Sequence, residues 1–220
     1  MILNVEIYDK HIRQTKAVAL TASELEKRIK TFPYKGEGLV HDEKVEAAKL
    51  PPYSLPFYNL VYRYNDVPSP QDLVEAYFEQ DYFCYLPDGK VQVTFDEKTD
   101  IYSLEGMIAR LQRTYPSLLR DLHFYLMACE SGLFDAVRYS FKRDYYEKID
   151  IQVLLKEKWY NVGLCLGSKR SLLYRLKKQF RHKNNAKVLY IELFDDEAQR
   201  CGDYNLYTIE HIRQLYNSLT

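Results

Sequence analysis

Two apolar runs, Ile149 to Leu155 and Trp159 to Leu166, are separated by only the three polar residues Lys156, Glu157 and Lys158. Both runs are rich in β-branched, aliphatic and aromatic residues and read as strands. A connector that short turns the chain straight back, so the two strands form an antiparallel hairpin. The flanking sequence extends this unit. Phe134 to Phe141 offers Phe134, Val137 and Tyr139 as core residues of an earlier strand, with charged Lys142, Arg143 and Asp144 as its turn, and Val188 to Phe194 supplies a later one. Pro116 to Glu130 reads as an amphipathic helix with Leu118, Leu119, Leu122, Tyr125, Leu126 and Cys129 on one face, ended by Ser131 and Gly132. Ser168 or Ser171 can cap another helix running to about His182. The order from 116 to 194 is therefore α-β-β-β-α-β. A return crossover to the last strand implies a mixed sheet with helices on its faces.

The first hundred residues read as a separate α+β extension packed on this core, and 101–220 as the core with a C-terminal helix from Thr208 to Leu219. Ile2 to Tyr8 has strand character. Thr21 and Glu24 have capping-box spacing for a helix to about Thr31. Phe32 to Gly38 reads as an exposed loop and Asp42 to Lys49 as a short charged helix. After the break at Pro51 to Pro56, Phe57 to Tyr64 has strand composition, and Ser69-Pro70 starts a helix. Tyr82 to Leu86 and Val91 to Phe95 form a hairpin around Pro87, Asp88, Gly89 and Lys90, and Leu104 to Leu111 has helical spacing.

Composition excludes several classes. Of 220 residues, 46% are hydrophobic and 28% charged, which supports a packed core rather than disorder. No window approaches the ~18 apolar residues that span a bilayer. Met1 to Val5 leads quickly into charged residues, unlike a secretory signal, so a cytoplasmic protein with no membrane partner is expected. Cys84, Cys129, Cys165 and Cys201 lie far apart and read as buried thiols. The five histidines lack H-x-x-x-H or H-E-x-x-H spacing, and neither a phosphate-binding G-x-x-x-x-G-K-[ST] nor a G-x-S-x-G nucleophile turn is present. Tyrosine, 21 residues, suits interfaces and base stacking but is also an ordinary strand residue.

The zero net charge hides a division. Arg138 to Lys187 holds 14 Lys and Arg against 4 Asp and Glu, a local net of +10 that leaves −10 for the remainder. Lys169 to Lys187 alone carries eight basic residues and no acid. With Leu172, Leu173, Leu176 and Phe180 buried, Arg170, Lys177, Lys178 and Arg181 face solvent. Arg170, Arg175, Lys177, Lys178 and Arg181 are the candidate contacts to a polyanion, with Tyr174 able to stack on a base. The same face could also dock an acidic protein.

Asp150 opens the first strand of the central hairpin. Period-2 alternation puts Asp150, Gln152 and Leu154 on one side. A carboxylate there either lies at an exposed strand end, paired with Lys148, or is buried and needs a cation, a metal or donors. The hairpin brings Ser168 and Lys169 close to it. A further group, Arg113, Ser117, Arg120 and His123, could gather as an anion site at a helix N-terminus, or form the cap and salt bridge of that helix.

The element order and Asp150 resemble the PD-(D/E)XK nuclease superfamily, over about 80 residues from Pro116 to Phe194. The resemblance implies a restriction-endonuclease-like core with Asp150 as metal ligand and Lys169 as the catalytic lysine. Mg²⁺ or Mn²⁺ would be the cofactor, with Glu105 or Asp121 as auxiliary acid from the preceding helix. The family's E-x-K acid, two residues before the lysine, is replaced by Gly167, and no Asp or Glu occurs between Trp159 and Arg181. Gln152 as a neutral ligand, or Glu147, would then have to substitute. The expected function is a metal-dependent, nuclease-like protein that binds nucleic acid, DNA ahead of RNA, and hydrolyses phosphodiesters. The alternative is an inactive nuclease-fold module acting as a regulator or inhibitor, as a homodimer or with a protein partner.

Overall fold

The computed structural model describes residues 4–9, 12–14, 19–34, 39–167 and 187–220. The chain is a mixed α+β protein. Its main sheet has six strands in the order β2-β1-β6-β7-β8-β9: β1 is Asn4–Asp9, β2 Ile12–Gln14, β6 Ala136–Ser140, β7 Ile151–Leu155, β8 Lys158–Leu166 and β9 Val188–Leu193. The hairpin read from the sequence lies at its centre. Ile151 pairs with Val162 and Leu155 with Lys158, antiparallel, and β6 pairs antiparallel with β7. The outer pairs, β1 with β6 and β8 with β9, are parallel. Strand β1 thus joins 4–9 directly to the sheet built by the second half of the chain. The segment linking β8 to β9, which includes the helix expected from Ser168 or Ser171, lies outside the described residues.

The long helix α5, Leu104–Glu130, packs on this sheet. Leu111, Tyr115, Leu118, Leu119 and Leu122 are buried along it and share a core with Val137, Ile151, Val153, Val162 and Ile191. Two helices were expected in this stretch, broken near Pro116. Pro116 instead sits inside one continuous helix. A proline removes one backbone bond and crowds the preceding turn, at about 3 kcal/mol. The apolar stripe on both sides of Pro116 offsets that, because each buried leucine contributes about 1.5–3 kcal/mol.

A second expectation is overturned at Phe57 to Tyr64, which has strand composition but lies in helix α3, Ser54–Tyr64. Phe57, Tyr58, Val61 and Tyr62 are buried at helical spacing, and Asn65 closes the helix in the left-handed region at φ 54°. Packing of that stripe outweighs the β preference of its aromatic residues. Helices α1 (Ala22–Ile29), α2 (Glu43–Ala47) and α4 (Pro70–Phe78) surround α5, with α1 and α4 capped at Thr21 and Ser69. A meander of β3 (Phe83–Leu86), β4 (Lys90–Phe95) and β5 (Lys98–Ser103) leads into α5, its first turn made by Asp88 and Gly89 at positive φ. The hairpin β10 (Gln199–Cys201) and β11 (Tyr204–Leu206) precedes the C-terminal α6 (Ile209–Asn217).

The tyrosines explain themselves in this core. Tyr77, Tyr115, Tyr125, Tyr139, Tyr204 and Tyr207 are among the largest fully buried side chains. Tyr77 donates to the Pro51 carbonyl at 3.0 Å, Tyr115 to Pro68 at 2.7 Å and Tyr207 to Cys165 at 3.2 Å. Each ring fills the core, and these hydroxyls tie separate segments together.

Candidate functional site

Asp150 stands immediately before β7, at the open end of the central hairpin. Its N–H donates to the Val162 carbonyl at 3.0 Å, and its Oδ2 accepts from the Leu164 N–H at 2.6 Å. The carboxylate is therefore oriented by the backbone of β8.

Of the two auxiliary acids considered, Asp121 is the one that reaches this place. Glu105 lies sixteen residues earlier on α5, about 24 Å along the axis. Burial pushes the Asp121 carboxyl well above the usual carboxylate range; the charge of Asp150, and less strongly that of Asp144, pushes the same way against the Arg120 guanidinium. Close carboxylates disfavour simultaneous ionisation, which adds to the effect of burial on Asp121.

Asp144 was read as part of a charged turn. The turn is instead a π-helical segment, Arg143–Glu147, in which the Lys148 N–H reaches back to the carbonyls of both Arg143 and Asp144. This winding brings Asp144 to the core side, where its Oδ2 accepts from the Tyr139 hydroxyl at 2.9 Å. The Tyr139 ring stacks on Tyr58 of α3 with centroids 3.9 Å apart. Burial raises the hydroxyl pKa of Tyr58, Tyr139 and Tyr207, and nearby carboxylates add to it in each case. Tyr139 and Tyr207 act as donors, to Asp144 and to the Cys165 carbonyl. The site thus consists of three aspartates from α5, the π turn and the start of β7, with buried tyrosines around them.

The other sequence candidates fall elsewhere. Gln152 is 3% exposed; its Oε1 accepts from Arg138 Nε at 2.8 Å and its Nε2 donates to Asn161 at 2.6 Å. The Arg138 guanidinium lies 3.9 Å over the Trp159 ring. The Gln152 amide is committed to this cross-strand network. Glu147 pairs with Arg143 at 3.3 Å. Gly167 stands where the nuclease pattern asks for an acid, and a side chain there has no room: a Cβ would lie 2.3–2.7 Å from atoms of the Phe194 ring. Lys169, Arg170, Arg175, Lys177, Lys178 and Arg181 lie outside the described residues.

The Arg113–His123 group does not form an anion site at a helix N-terminus, because these residues occupy the interior of α5. Arg113 binds Glu46 and the Val40 carbonyl, and His123 binds Glu26 at 3.0 Å. They are ties between α5 and the helices around it. The four cysteines are free thiols, with Cys201 buried and Cys84 exposed.

Among the described residues, no three His, Cys, Asp or Glu side chains are arranged to hold a metal ion by themselves. A hard cation such as Mg²⁺ asks for less, since it commonly takes one or two carboxylates and fills its shell with water and substrate phosphate. The Asp121–Asp150 pair fits that donor set. Among the described residues no helix is long and apolar enough to cross a membrane. Comparison with protein-family models, with curated proteins and with solved structures gives no match to this chain.

Proposed function

We propose that this protein is a nuclease-like, nucleic-acid-binding protein whose reaction centre is the Asp121–Asp150 pair. The observation that carries the reading is the placement of Asp150 at the open end of the central hairpin, its carboxylate held by the Leu164 N–H at 2.6 Å, with its charge felt by Asp121 of α5. Like charges brought together in a partly buried site are costly, and a divalent cation relieves that cost.

Three further features support the reading. The element order and the antiparallel-antiparallel-parallel pairing of β6 to β9 fit a restriction-endonuclease-like core. The segment from Arg138 to Lys187 carries a net +10, suited to a phosphate backbone. The hairpin also ends three residues before Lys169, which would orient or help deprotonate the attacking water. Asp121 and Asp150 would hold Mg²⁺ or Mn²⁺, which when bound stabilises charge on the phosphodiester. In this scheme Tyr139 holds Asp144 in place, and Arg170, Arg175, Lys177, Lys178 and Arg181 bind phosphates. DNA is the expected substrate ahead of RNA.

A second reading, an inactive nuclease-fold scaffold, is favoured by one specific observation: Gly167 and its contact with Phe194 leave no place for the family's strand acid. One experiment separates the two. The protein and its Asp150→Ala variant are incubated with DNA and RNA in Mg²⁺ or Mn²⁺. Cleavage by the wild type that Asp150→Ala abolishes supports the catalytic reading. Equal cleavage by both, or none by either, removes it. Binding without cleavage, steeply weakened by salt, supports the scaffold.

A further inference from the structure

Three of the described helices open with a capping box, in which the third helical residue reaches back to the N–H of the cap residue. In α1 the Thr21 N–H donates to the Glu24 carboxylate at 2.9 Å, and in α4 the Ser69 N–H donates to Asp72 at 2.8 Å. In α6 the acceptor is an imidazole: the Thr208 N–H donates to Nδ1 of His211 at 3.1 Å. A carboxylate keeps its charge down to about pH 4, whereas an imidazole loses its acceptor nitrogen near about pH 6.5. The box of α6 is therefore the one that mild acid can break.

The hydrogen bonds also fix the tautomer. A backbone N–H only donates, so Nδ1 is unprotonated and the neutral ring carries its proton on Nε2. The Thr208 hydroxyl, 2.9 Å from Nδ1, then donates to it as well. Nε2 lies 3.7 Å from Glu197 and has no hydrogen-bond partner among the described residues, in a side chain only 4% exposed. A proton taken at Nδ1 meets the Thr208 N–H head on. It also sets a positive charge at the N-terminal end of a helix, where the helix dipole opposes it.

The neighbouring groups leave that conflict in place. Burial lowers the proton affinity of His211; the charge of Glu197, the Thr208 backbone and the charge of Glu210 oppose it, in that order. Of the Thr208 backbone, the carbonyl already accepts from the His211 N–H at 3.1 Å, and it is the N–H that faces Nδ1. Glu210 is paired with Arg213. Tyr207 meets the imidazole edge-on with ring centroids 5.2 Å apart, and packs against Phe124 of α5 on its other side at 5.0 Å. From α5, Arg120 and Asp121 bear on the Tyr207 hydroxyl. That hydroxyl reaches the carbonyls of Cys165 on β8 at 3.2 Å and Ile191 on β9 at 3.4 Å. The box thus stands where the C-terminal helix meets the last parallel pair of the main sheet.

We propose that His211 is an acid-labile cap: protonation at Nδ1 breaks the Thr208–His211 bond and opens the start of α6, while the carboxylate boxes of α1 and α4 stay closed. The inference is independent of the reading of the Asp121–Asp150 pair.

The test uses the full chain, isotopically labelled. At pH 7 a long-range proton–nitrogen NMR spectrum should show His211 with its proton on Nε2; a proton on Nδ1 overturns the inference. Amide hydrogen exchange, corrected for intrinsic rates, then follows Thr208 and Arg213 to Asn217 at pH 7 and pH 5. It is run on the wild type and on His211→Gln, whose amide keeps an acceptor for the Thr208 N–H and does not titrate. A ring that takes its proton only when the cap opens raises the opening of α6 by up to about 25-fold between pH 7 and pH 5. Wild-type protection at α6 should fall by up to that factor more than at α1 and α4, and His211→Gln should remove the excess. An equal loss at α6 in both proteins overturns the inference. So does a wild-type loss spread evenly over α1, α4 and α6, a comparison that stands even where His211→Gln fails to fold.

Discussion

His123 is a buried base whose proton affinity the fold suppresses, and that makes the stability of this protein sensitive to mild acid. Its side chain is 0% exposed, Nε2 lies 3.0 Å from Glu26, and Nδ1 has no hydrogen-bond partner. Burial lowers its pKa, against a smaller opposing pull from Glu26. A histidine with a depressed folded pKa binds its proton more readily in the unfolded chain, so stability falls as pH drops below the unfolded value. That value is about 6.5, and a histidine that stays neutral while folded removes about 1.9 kcal/mol between pH 7 and pH 5. His211, buried and likewise lowered by burial, acts in the same sense. Asp121 acts in the opposite sense over this range, because a carboxyl with a raised folded pKa favours the folded state as pH falls. The informative quantity is therefore the difference in pH dependence between the wild type and His123→Gln, in which Gln can keep the bond to Glu26. Urea unfolding at pH 7, 6 and 5 should show the wild type losing up to about 2 kcal/mol more than the variant. In a thermal melt this is roughly 4–8 °C for a chain of this size. Parallel pH profiles would refute the argument, since His123 would then be titrating alike in both states.

Two further changes test the strands that frame the site. Glu157→Gly should raise stability by about 0.5–1 kcal/mol, because Glu157 occupies the second turn position between β7 and β8 at φ 63°, where glycine is unstrained; thermal unfolding that shows no gain counts against it. Gly167→Ala should cost about 1–3 kcal/mol by forcing the Phe194 ring off β8, and Phe194→Ala in the same chain should relieve most of it in a double-mutant cycle.

The central hairpin was legible because two constraints coincided: apolar strand runs and a connector too short for anything but a turn. Capping signals at Thr21 and Ser69 were equally direct, since a side-chain oxygen followed three residues on by an acid satisfies two helix-end N–H groups. Failures came where tertiary packing overrode a local preference. Phe57 to Tyr64 carries the aromatic content of a strand, yet its buried residues recur at helical spacing against Tyr115 and Tyr139. Pro116 is a helix breaker in isolation, but one lost backbone bond is outweighed by the stripe that continues through it. Strand β5 was missed because Lys98 to Ser103 is mostly polar and is held by its partner β4 rather than by a buried face of its own.

The site was half legible for a related reason. Asp150 announces itself as a charge at the head of an apolar strand, and Asp121 follows once a helix is known to pack there. Asp144 does not, because Lys-Arg-Asp-Tyr-Tyr-Glu-Lys has neither the 2.0 nor the 3.6 period by which a buried face is recognised. A π turn adds a residue to the helical turn, so side chains three or four apart no longer share a side. That offset lets a five-residue segment send Asp144 to the Tyr139 hydroxyl and Tyr146 to solvent. An α-helical turn of the same sequence would shift these directions and move the Asp144 carboxylate away from the Tyr139 hydroxyl, so the Tyr139–Asp144 bond and the π winding support each other.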